Sequence, residues 1–357
     1  MKTCFYWLKL PLLHPYSLSF KTIEEYDSFI FLIKTKGDTY WGESTALYGY
    51  SWETAESIWE TIVNCINQSQ NDLQKLKIQV ENLVSIRPFA SSAVLTAIEK
   101  YYNLTNYRNC SFEKGIPLVG TIRGNSSNEL ISVANELAGS GYKVLKVKLS
   151  KDVDNDIRKI KIIQNELNSD IKLRLDANQS YSSKMVEYLF SKIRLENIEL
   201  LEQPFERGAC HLVESLVKWS PIPIMLDESI WTFKDIEKAK ECGVDYVKLK
   251  VVKHGSIINT VTLAERAGKL GLKVILGNGV QSDFGCIDEC YAYKLANLKE
   301  AGEMNGFLKL KTSLLSSSIF FKDGIVSVNI NNVEKEAKNV NLINNYVLKK
   351  YTFFMKA

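Results

Sequence analysis

Five charged residues fall along the middle of the chain at a nearly constant interval. Lys148, Asp176, Glu202, Asp227 and Lys250 are separated by 28, 26, 25 and 23 residues. Each closes a short apolar run, and a step of that length is one strand followed by one helix. Consecutive strands ending in charge deliver it to one rim of a parallel sheet, where barrel active sites sit. Two runs carry a second lysine, in Lys146-Val147-Lys148 and Lys248-Leu249-Lys250. Strand alternation turns both members of each pair to one face. Lysines near a barrel axis are costly without partners, and the three carboxylates between the pairs supply them. Carboxylates this close repel one another unless a cation holds them, and an all-oxygen donor set favours Mg²⁺ over a softer metal. The layout read from the residues is a Mg²⁺ held by Asp176, Glu202 and Asp227, with a lysine pair on either side.

That arrangement suits removal of the weakly acidic proton next to a carboxylate. The substrate carboxylate binds the metal, and the charge released spreads onto its oxygens as an enediolate. An ordinary lysine, with a pKa near about 10.4, is a poor base at neutral pH. A second lysine nearby, burial and the metal all act to lower it. Lys148 and Lys250, the inner members, are expected on opposite sides of the α-carbon, with Lys146 and Lys248 in support. Asn178 either supports a metal ligand or caps a loop. Glu228 is the weaker ligand candidate, because alternation points it away from the face of Asp227. A lone Lys-x-Lys or Asp-Glu-Ser usually marks a solvated strand. The order K, D, E, D, K over five successive strand ends carries the reading.

The elements that must position these residues begin at Ile116. Strands are expected at Ile116–Thr121, Val144–Lys148, Lys172–Asp176, Glu199–Glu202, Ile224–Asp227, Tyr246–Lys250 and Lys273–Gly277. Amphipathic helices are expected at Ser127–Ala138, Asp152–Asn168, Ser183–Ile193, Ala209–Lys218, Phe233–Cys242, Ser256–Leu270 and Asp283–Ala296. Seven such units and a short final strand around Lys299–Gly302 predict a closed barrel rather than an open sheet. Ahead of them, Phe5–Leu10, Ser28–Thr35 and Thr39–Glu43 read as strands, the last two joined at Lys36-Gly37-Asp38. Helical spacing follows over Ser51–Asn67 and Ser91–Leu104. Near the end, Ile319–Phe321 and Ile325–Val328 form a hairpin around Asp323-Gly324.

A length of 357 residues suits a barrel with an accessory domain. A formal charge of +4, from 45 basic and 41 acidic residues, is too balanced for a nucleic-acid surface. No apolar run reaches membrane-spanning length. Met1–Leu13 carries Lys9 and lacks a small-residue cleavage site, so no signal peptide is expected. The seven cysteines are scattered and odd in number, and are expected reduced in a cytoplasmic protein. Cys286 and Cys290 read as core residues one helical turn apart, the alternative being a metal pair. Three histidines, His14, His211 and His254, leave little for a zinc site or a Ser-His-Asp triad.

At this point the sequence resembles the enolase superfamily, in its muconate-lactonizing-enzyme subgroup. The similar residues are VLKVKLS (144–150), LRLDANQ (173–179), LLEQPF (200–205), IMLDES (224–229) and DYVKLKVVKHGS (245–256), with WGE (41–43) and AIE (97–99) ahead of them. The resemblance implies an α/β fold: a (β/α)7β TIM-like barrel with an α+β capping domain built from the N-terminal region and the C-terminal tail. The boundaries expected are 1–113 for the cap, 114–310 for the barrel and 311–357 for the segment returning to the cap. It also implies Asp176, Glu202 and Asp227 as Mg²⁺ ligands and Lys148 and Lys250 as acid/base catalysts. Cap loops around Leu13–Ile23 and Leu47–Trp52 would close over the substrate, offering Tyr16, Tyr48, Tyr50 and Trp52 as contacts or as packing.

The specific reaction stays open. Dipeptide epimerases of the subgroup carry Asp-x-Asp at the end of the eighth strand, to meet the substrate amino group. Here Glu303-Met304-Asn305 stands in its place, so Glu303 keeps one charge and Asn305 loses the other. The seventh strand, ending in Gly277-Asn278-Gly279-Val280-Gln281-Ser282, also departs from the usual epimerase pattern. The leading expectation is a racemase or epimerase of a dipeptide or N-acylamino acid. The alternatives are an o-succinylbenzoate synthase-type dehydratase and a muconate-type cycloisomerase. A non-catalytic barrel would not keep the full charged set, and a Schiff-base aldolase would leave the carboxylates unused. The expected partner is a small carboxylate. Barrels of the family often associate as homo-oligomers, though the sequence shows no interface signature.

Overall fold

A computed structural model describes residues 1–17, 22–47, 49–338 and 342–356. The chain opens with an antiparallel sheet of β1 (Lys2–Ser17), β2 (Thr22–Lys34) and β3 (Thr39–Ala46). Helices Ala55–Gln68, Leu73–Glu81 and Pro88–Tyr102 pack with it. The long helix Pro88–Tyr102 crosses β3 so closely that a Cβ on Gly42 would stand 2.2 Å from the Ala93 carbonyl oxygen. Only glycine fits there.

β4 (Ile116–Pro117) pairs with a later hairpin, and the barrel strands are β5 (Val119–Thr121), β6 (Val144–Lys148), β7 (Lys172–Asp176), β8 (Ile198–Glu202), β9 (Ile224–Leu226), β10 (Tyr246–Leu249) and β11 (Lys273–Leu276). β5 to β11 pair in parallel in strict chain order. Helices alternate with them, and several begin at a capping side chain one turn ahead: Ser126, Asp152, Ser182 and Ser256 each accept from the backbone three residues on. The expected eighth strand is reduced to one bridge. Gly302 pairs with Leu118, and its N–H reaches the Pro117 carbonyl at 2.9 Å. On the other side the Glu303 N–H reaches the Leu276 carbonyl at 2.9 Å, so this segment joins the first and last strands and closes the barrel. Gly277 permits the close approach at this closure, since a Cβ there would stand 2.5 Å from the Glu303 backbone nitrogen.

After the barrel come the hairpin β12 (Ile319–Lys322) and β13 (Ile325–Val328), then helix Ile330–Lys338 and β14 (Val347–Phe354). β14 pairs antiparallel with β1, so the C-terminal segment completes the first sheet. β1, β14 and helices Leu73–Glu81 and Ile330–Lys338 all exceed what apolar spacing predicts.

The cap and the barrel are joined at Glu43, the acid of the WGE motif. Its buried carboxylate accepts from Ser28 Oγ at 2.6 Å, Ser282 Oγ at 2.6 Å and the Gly285 N–H at 2.7 Å. It therefore caps the barrel helix Asp283–Leu295 from another sheet. Burial pushes its pKa up to about 7, although every one of these hydrogen bonds works against the rise.

One cysteine expectation is corrected. Cys210 and Cys242 form a disulfide, with Cα atoms 6.1 Å apart. They sit at the start of one barrel helix and just after the end of the next, 32 residues apart, which no local Cys spacing announces. Cys286 and Cys290 are fully buried core residues. Among the described residues no helix is long and apolar enough to cross a membrane.

Candidate active site

The C-terminal ends of β6, β7, β9 and β10 line one cavity together with the cap, while Glu202, at the end of β8, is fully buried outside its lining. Lys146, Lys148, Asp176, Asp227, Lys248, Lys250 and Glu303 all face it. Register explains the grouping. Lys148 pairs with Asp176 and Asp176 with Glu202 on successive strands, while Asp227 follows β9 directly. β6 and β10 flank the three carboxylate strands, so the two lysine pairs stand on opposite sides of them.

The outer lysines are committed to carboxylates. Lys146 Nζ lies 2.6 Å from Asp176 Oδ2 and 2.9 Å from Glu202 Oε2. Lys248 Nζ lies 2.9 Å from Glu202 Oε1. Glu303 then grips both, Oε1 at 3.2 Å from Lys146 and Oε2 at 2.6 Å from Lys248. Burial acts to lower both lysine pKa values, but the surrounding carboxylates outweigh it and hold them above the usual range. Burial likewise acts to raise Glu303, and Lys146, Lys248 and Arg174 outweigh it and hold its carboxyl well below the ordinary value. The three charges form a locked set rather than a proton shuttle.

The inner lysines have other surroundings. Lys250 Nζ donates to Asp227 Oδ2 and to the Tyr50 hydroxyl, both at 2.7 Å, and Tyr50 donates on to Asp227 Oδ1 at 2.9 Å. Lys148 Nζ stands 4.9 Å from the centre of the Tyr16 ring. Fully buried Lys253 also touches Asp227, through its backbone carbonyl and, at 3.3 Å, Oδ1. Burial brings the Lys253 pKa down to about 8. For Asp227, burial acts upward, but Lys250, Lys248 and Lys253 hold it well below the usual value.

Backbone conformation at the strand ends is unusual. Asn178 and Gln203 adopt positive φ of 41° and 38°, a conformation that concentrates at functional sites. Asn178 links two acids: its N–H donates to Asp176 Oδ1 at 3.0 Å and its Nδ2 to Glu228 Oε1 at 3.1 Å. Glu228 itself lines the cavity, contrary to the expectation from alternation. Strand β9 stops at Leu226, so period-two geometry no longer applies at Glu228. Burial, then Asp227 and Asp176, raise its pKa to about 7, and its Oε2 has no hydrogen-bond partner among the described residues.

Other expected residues are placed differently. Glu303 is occupied by Lys146, Lys248 and Arg174. Asn305 donates to the Val119 carbonyl at 3.0 Å. Trp52 lines a separate cleft, tilted against Trp231 with ring centres 4.9 Å apart and donating to the Ile86 carbonyl. Tyr48 lies outside the described residues. Four contributors went unread in the sequence. Arg174, fully buried beside Glu199 and 3.6 Å from Glu303, sits two before Asp176, so alternation already put it on the inward face. Gln203 accepts from the Asp227 and Ser229 N–H groups, and only its place in the EQP run marks it. Lys253 and Lys309 have no local signal.

Among the described residues, no three His, Cys, Asp or Glu side chains already stand as a metal cage; lysine ammonium groups lie between the carboxylates instead. One ammonium nevertheless bridges Asp176 and Glu202, and another group of three gathers on Asp227. The acids are thus close enough to share a cation.

Comparisons with known proteins bear on the family and the fold. A family described as enolase C-terminal domain-like matches residues 129–329. The L-Ala-D/L-Glu epimerase of Clostridium acetobutylicum is 27% identical over 289 residues, covering 76% of this chain and 79% of that protein. The N-succinyl-L-Arg/Lys racemase of Bacillus cereus is 25% identical over 295 residues, covering 78% and 79%. A crystal structure of a dipeptide epimerase from Cytophaga hutchinsonii, complexed with Mg and the dipeptide D-Ala-L-Val, superposes with a TM-score of 0.84. It is 18% identical and covers 99% of both chains, a likeness of fold.

Proposed function

The chain belongs to the enolase C-terminal domain-like family, and from that premise we propose that it is an isomerase, a racemase or epimerase of a dipeptide or N-acylamino acid. Relatives named as epimerase and racemase support the reaction class. The observation that carries the reading is one cavity with Lys148 and Lys250 on strands flanking three carboxylate-bearing strands.

In this reading residues 1–113 and 311–357 form the cap over a barrel of 114–310. Lys148 takes or returns the α-proton on one face and Lys250 on the other, which permits inversion at that carbon. Tyr50 orients Lys250 through its hydroxyl, and Glu303 keeps Lys146 and Lys248 charged near the substrate carboxylate. Asp176, Glu202 and Asp227 would hold Mg²⁺, with Glu228 beside them. Their oxygen-only donors fit it, and so does the buried Glu228 Oε2, an acceptor with no partner among the described residues. A bound Mg²⁺ would supply positive charge where the substrate carboxylate gains negative charge.

The test is incubation with Mg²⁺ in D₂O and pooled L,L-dipeptides, N-acylamino acids and the o-succinylbenzoate precursor. Mass spectrometry is expected to find a one-dalton gain on a dipeptide or acylamino acid, removed by EDTA and by Lys148→Ala. Water loss from the precursor alone would replace the isomerase with the dehydratase.

A further inference from the structure

One wall of the cavity carries polar groups that the proton transfer does not use. Gly279 lies just past β11 and lines the cavity. A Cβ at this position would stand 2.7 Å from Lys309 Nζ, 3.3 Å from the Tyr16 hydroxyl and 3.6 Å from Asn305 Oδ1. Three polar atoms therefore converge on a position that bears no side chain. Lys309 comes from the turn Gly306–Lys309 beyond the barrel closure. Its ammonium donates to the Gly279 carbonyl and stands 4.3 Å from the centre of the Tyr16 ring. Among the described residues no carboxylate lies within ion-pair distance of it, whereas Lys146, Lys248, Lys250 and Lys253 all have one.

A second observation stands beside it. Asn278, 5% exposed, lines the same cavity. Its Oδ1 accepts from the Val280 N–H at 3.2 Å, which fixes the amide orientation. Its Nδ2 then has no partner among the described residues. A buried donor without an acceptor is costly, so this wall offers an unused N–H donor beside an ammonium whose partners are the Tyr16 hydroxyl and the Gly279 carbonyl rather than a carboxylate within ion-pair distance. Asn305 Oδ1 is an acceptor on the same wall and also has no partner among the described residues.

The Tyr16 hydroxyl fits the same pattern. Burial acts to raise its pKa, but Lys309, Lys148 and Lys146 outweigh it and bring it to about 8. The three lysines act on this hydroxyl against the opposing charge of Glu303, and burial lowers the Lys309 pKa as well.

We propose that Lys309, Tyr16 and Asn278, grouped around Gly279, form a subsite for a second carboxylate of the substrate, so that the enzyme selects dicarboxylate substrates. The subsite rests on the proposed function only for the place of the first carboxylate, near Asp176, Glu202 and Asp227. The second carboxylate belongs either to the acyl group or to the side chain of the reacting amino acid.

Two isosteric pairs distinguish these sources: N-succinylglycine against its terminal amide N-succinamoylglycine, and L-Ala-L-Glu against L-Ala-L-Gln. Calorimetric titration in Mg²⁺ is expected to show one dicarboxylate binding about tenfold or more tightly than the partner that lacks its second carboxylate, the weight of one charge-assisted contact. Preference in the first pair places the anion on the acyl group, and in the second on the side chain. Lys309→Met and Gly279→Ala should each bring that ratio close to one, while Lys309→Arg keeps it. Ratios near one in both pairs overturn the subsite, as does failure of all four compounds to bind. Equal weakening of both members of a pair by Lys309→Met would make Lys309 structural and also overturn it. Deuterium exchange with the same compounds reads the reaction separately: a preserved preference without exchange sinks the isomerase and keeps the subsite.

Discussion

Glu303, on the floor of the cavity, and Glu43, in the seam between cap and barrel, are both carboxylates withdrawn from water, at 9% and 1% exposure. Their surroundings differ. Glu303 meets two lysines and an arginine and is held ionised. Glu43 meets two serine hydroxyls and the N-terminus of a helix, all neutral donors, and its pKa rises to about 7. Charge-matched burial keeps a group in one protonation state, which a reaction floor needs. Neutral burial joins two layers tightly but leaves the group near its titration point at physiological pH.

The largest effects belong to the floor. Lys148→Ala and Lys250→Ala are each expected to lower deuterium exchange by about 10²- to 10⁴-fold. Folding should survive, because neither lysine belongs to the Glu303 clamp. Exchange rates and thermal melts of the same preparations check both halves. A variant that loses the melt along with the activity would place that lysine in the structural network instead.

Glu303→Gln and Glu43→Gln then pull in opposite directions. Removing the Glu303 charge leaves two buried ammonium groups with weaker compensation, and should cost about 3 to 5 kcal/mol in denaturant unfolding. Glu43→Gln keeps the acceptor toward Ser282 and Gly285 and turns its NH₂ to Ser28. A carboxyl whose folded pKa is raised from 4.5 to about 7 binds more protons folded than unfolded between those values. Its contribution to stability therefore falls as pH rises through that window. The variant should match the parent near pH 4.5 and exceed it at pH 8 by about 1 to 3 kcal/mol. Equal losses for both variants at pH 8 would erase the contrast.

These two carboxylates also show what the sequence allowed and where it stopped. The charged ends of β6, β7, β8 and β10 are legible because strand period and apolar runs are local. The observed bounds Val144–Lys148 and Lys172–Asp176 are the expected ones. Arg174 was legible by the same alternation. Glu303 was readable as a charge near the eighth strand, but its partners come from β6, β7 and β10, and no local pattern encodes such closure. Lys253, Lys309 and the Cys210–Cys242 pair share that difficulty, since packing alone brings their partners near. Glu228 misled because alternation was extended past the end of β9.

The smallest effects test how sharply the cavity ends at its cap side. Tyr50 and Trp52 are two residues apart in one cap loop, and both approach Trp231. Only Tyr50 reaches the charged floor, joining Lys250 to Asp227 through its hydroxyl. Trp52 is 46% exposed and spends its indole N–H on the Ile86 carbonyl. Tyr50→Phe keeps the ring and loses the link, so kcat should fall about tenfold, the weight of one hydrogen bond to a charged group. Trp52→Ala should change kcat and KM by less than about threefold, as for a surface contact outside the cavity. Steady-state kinetics of both variants on one substrate decide it. If Trp52→Ala raises KM as much as Tyr50→Phe lowers kcat, the cleft beside Trp231 belongs to the substrate site, and the boundary lies beyond the aromatic pair.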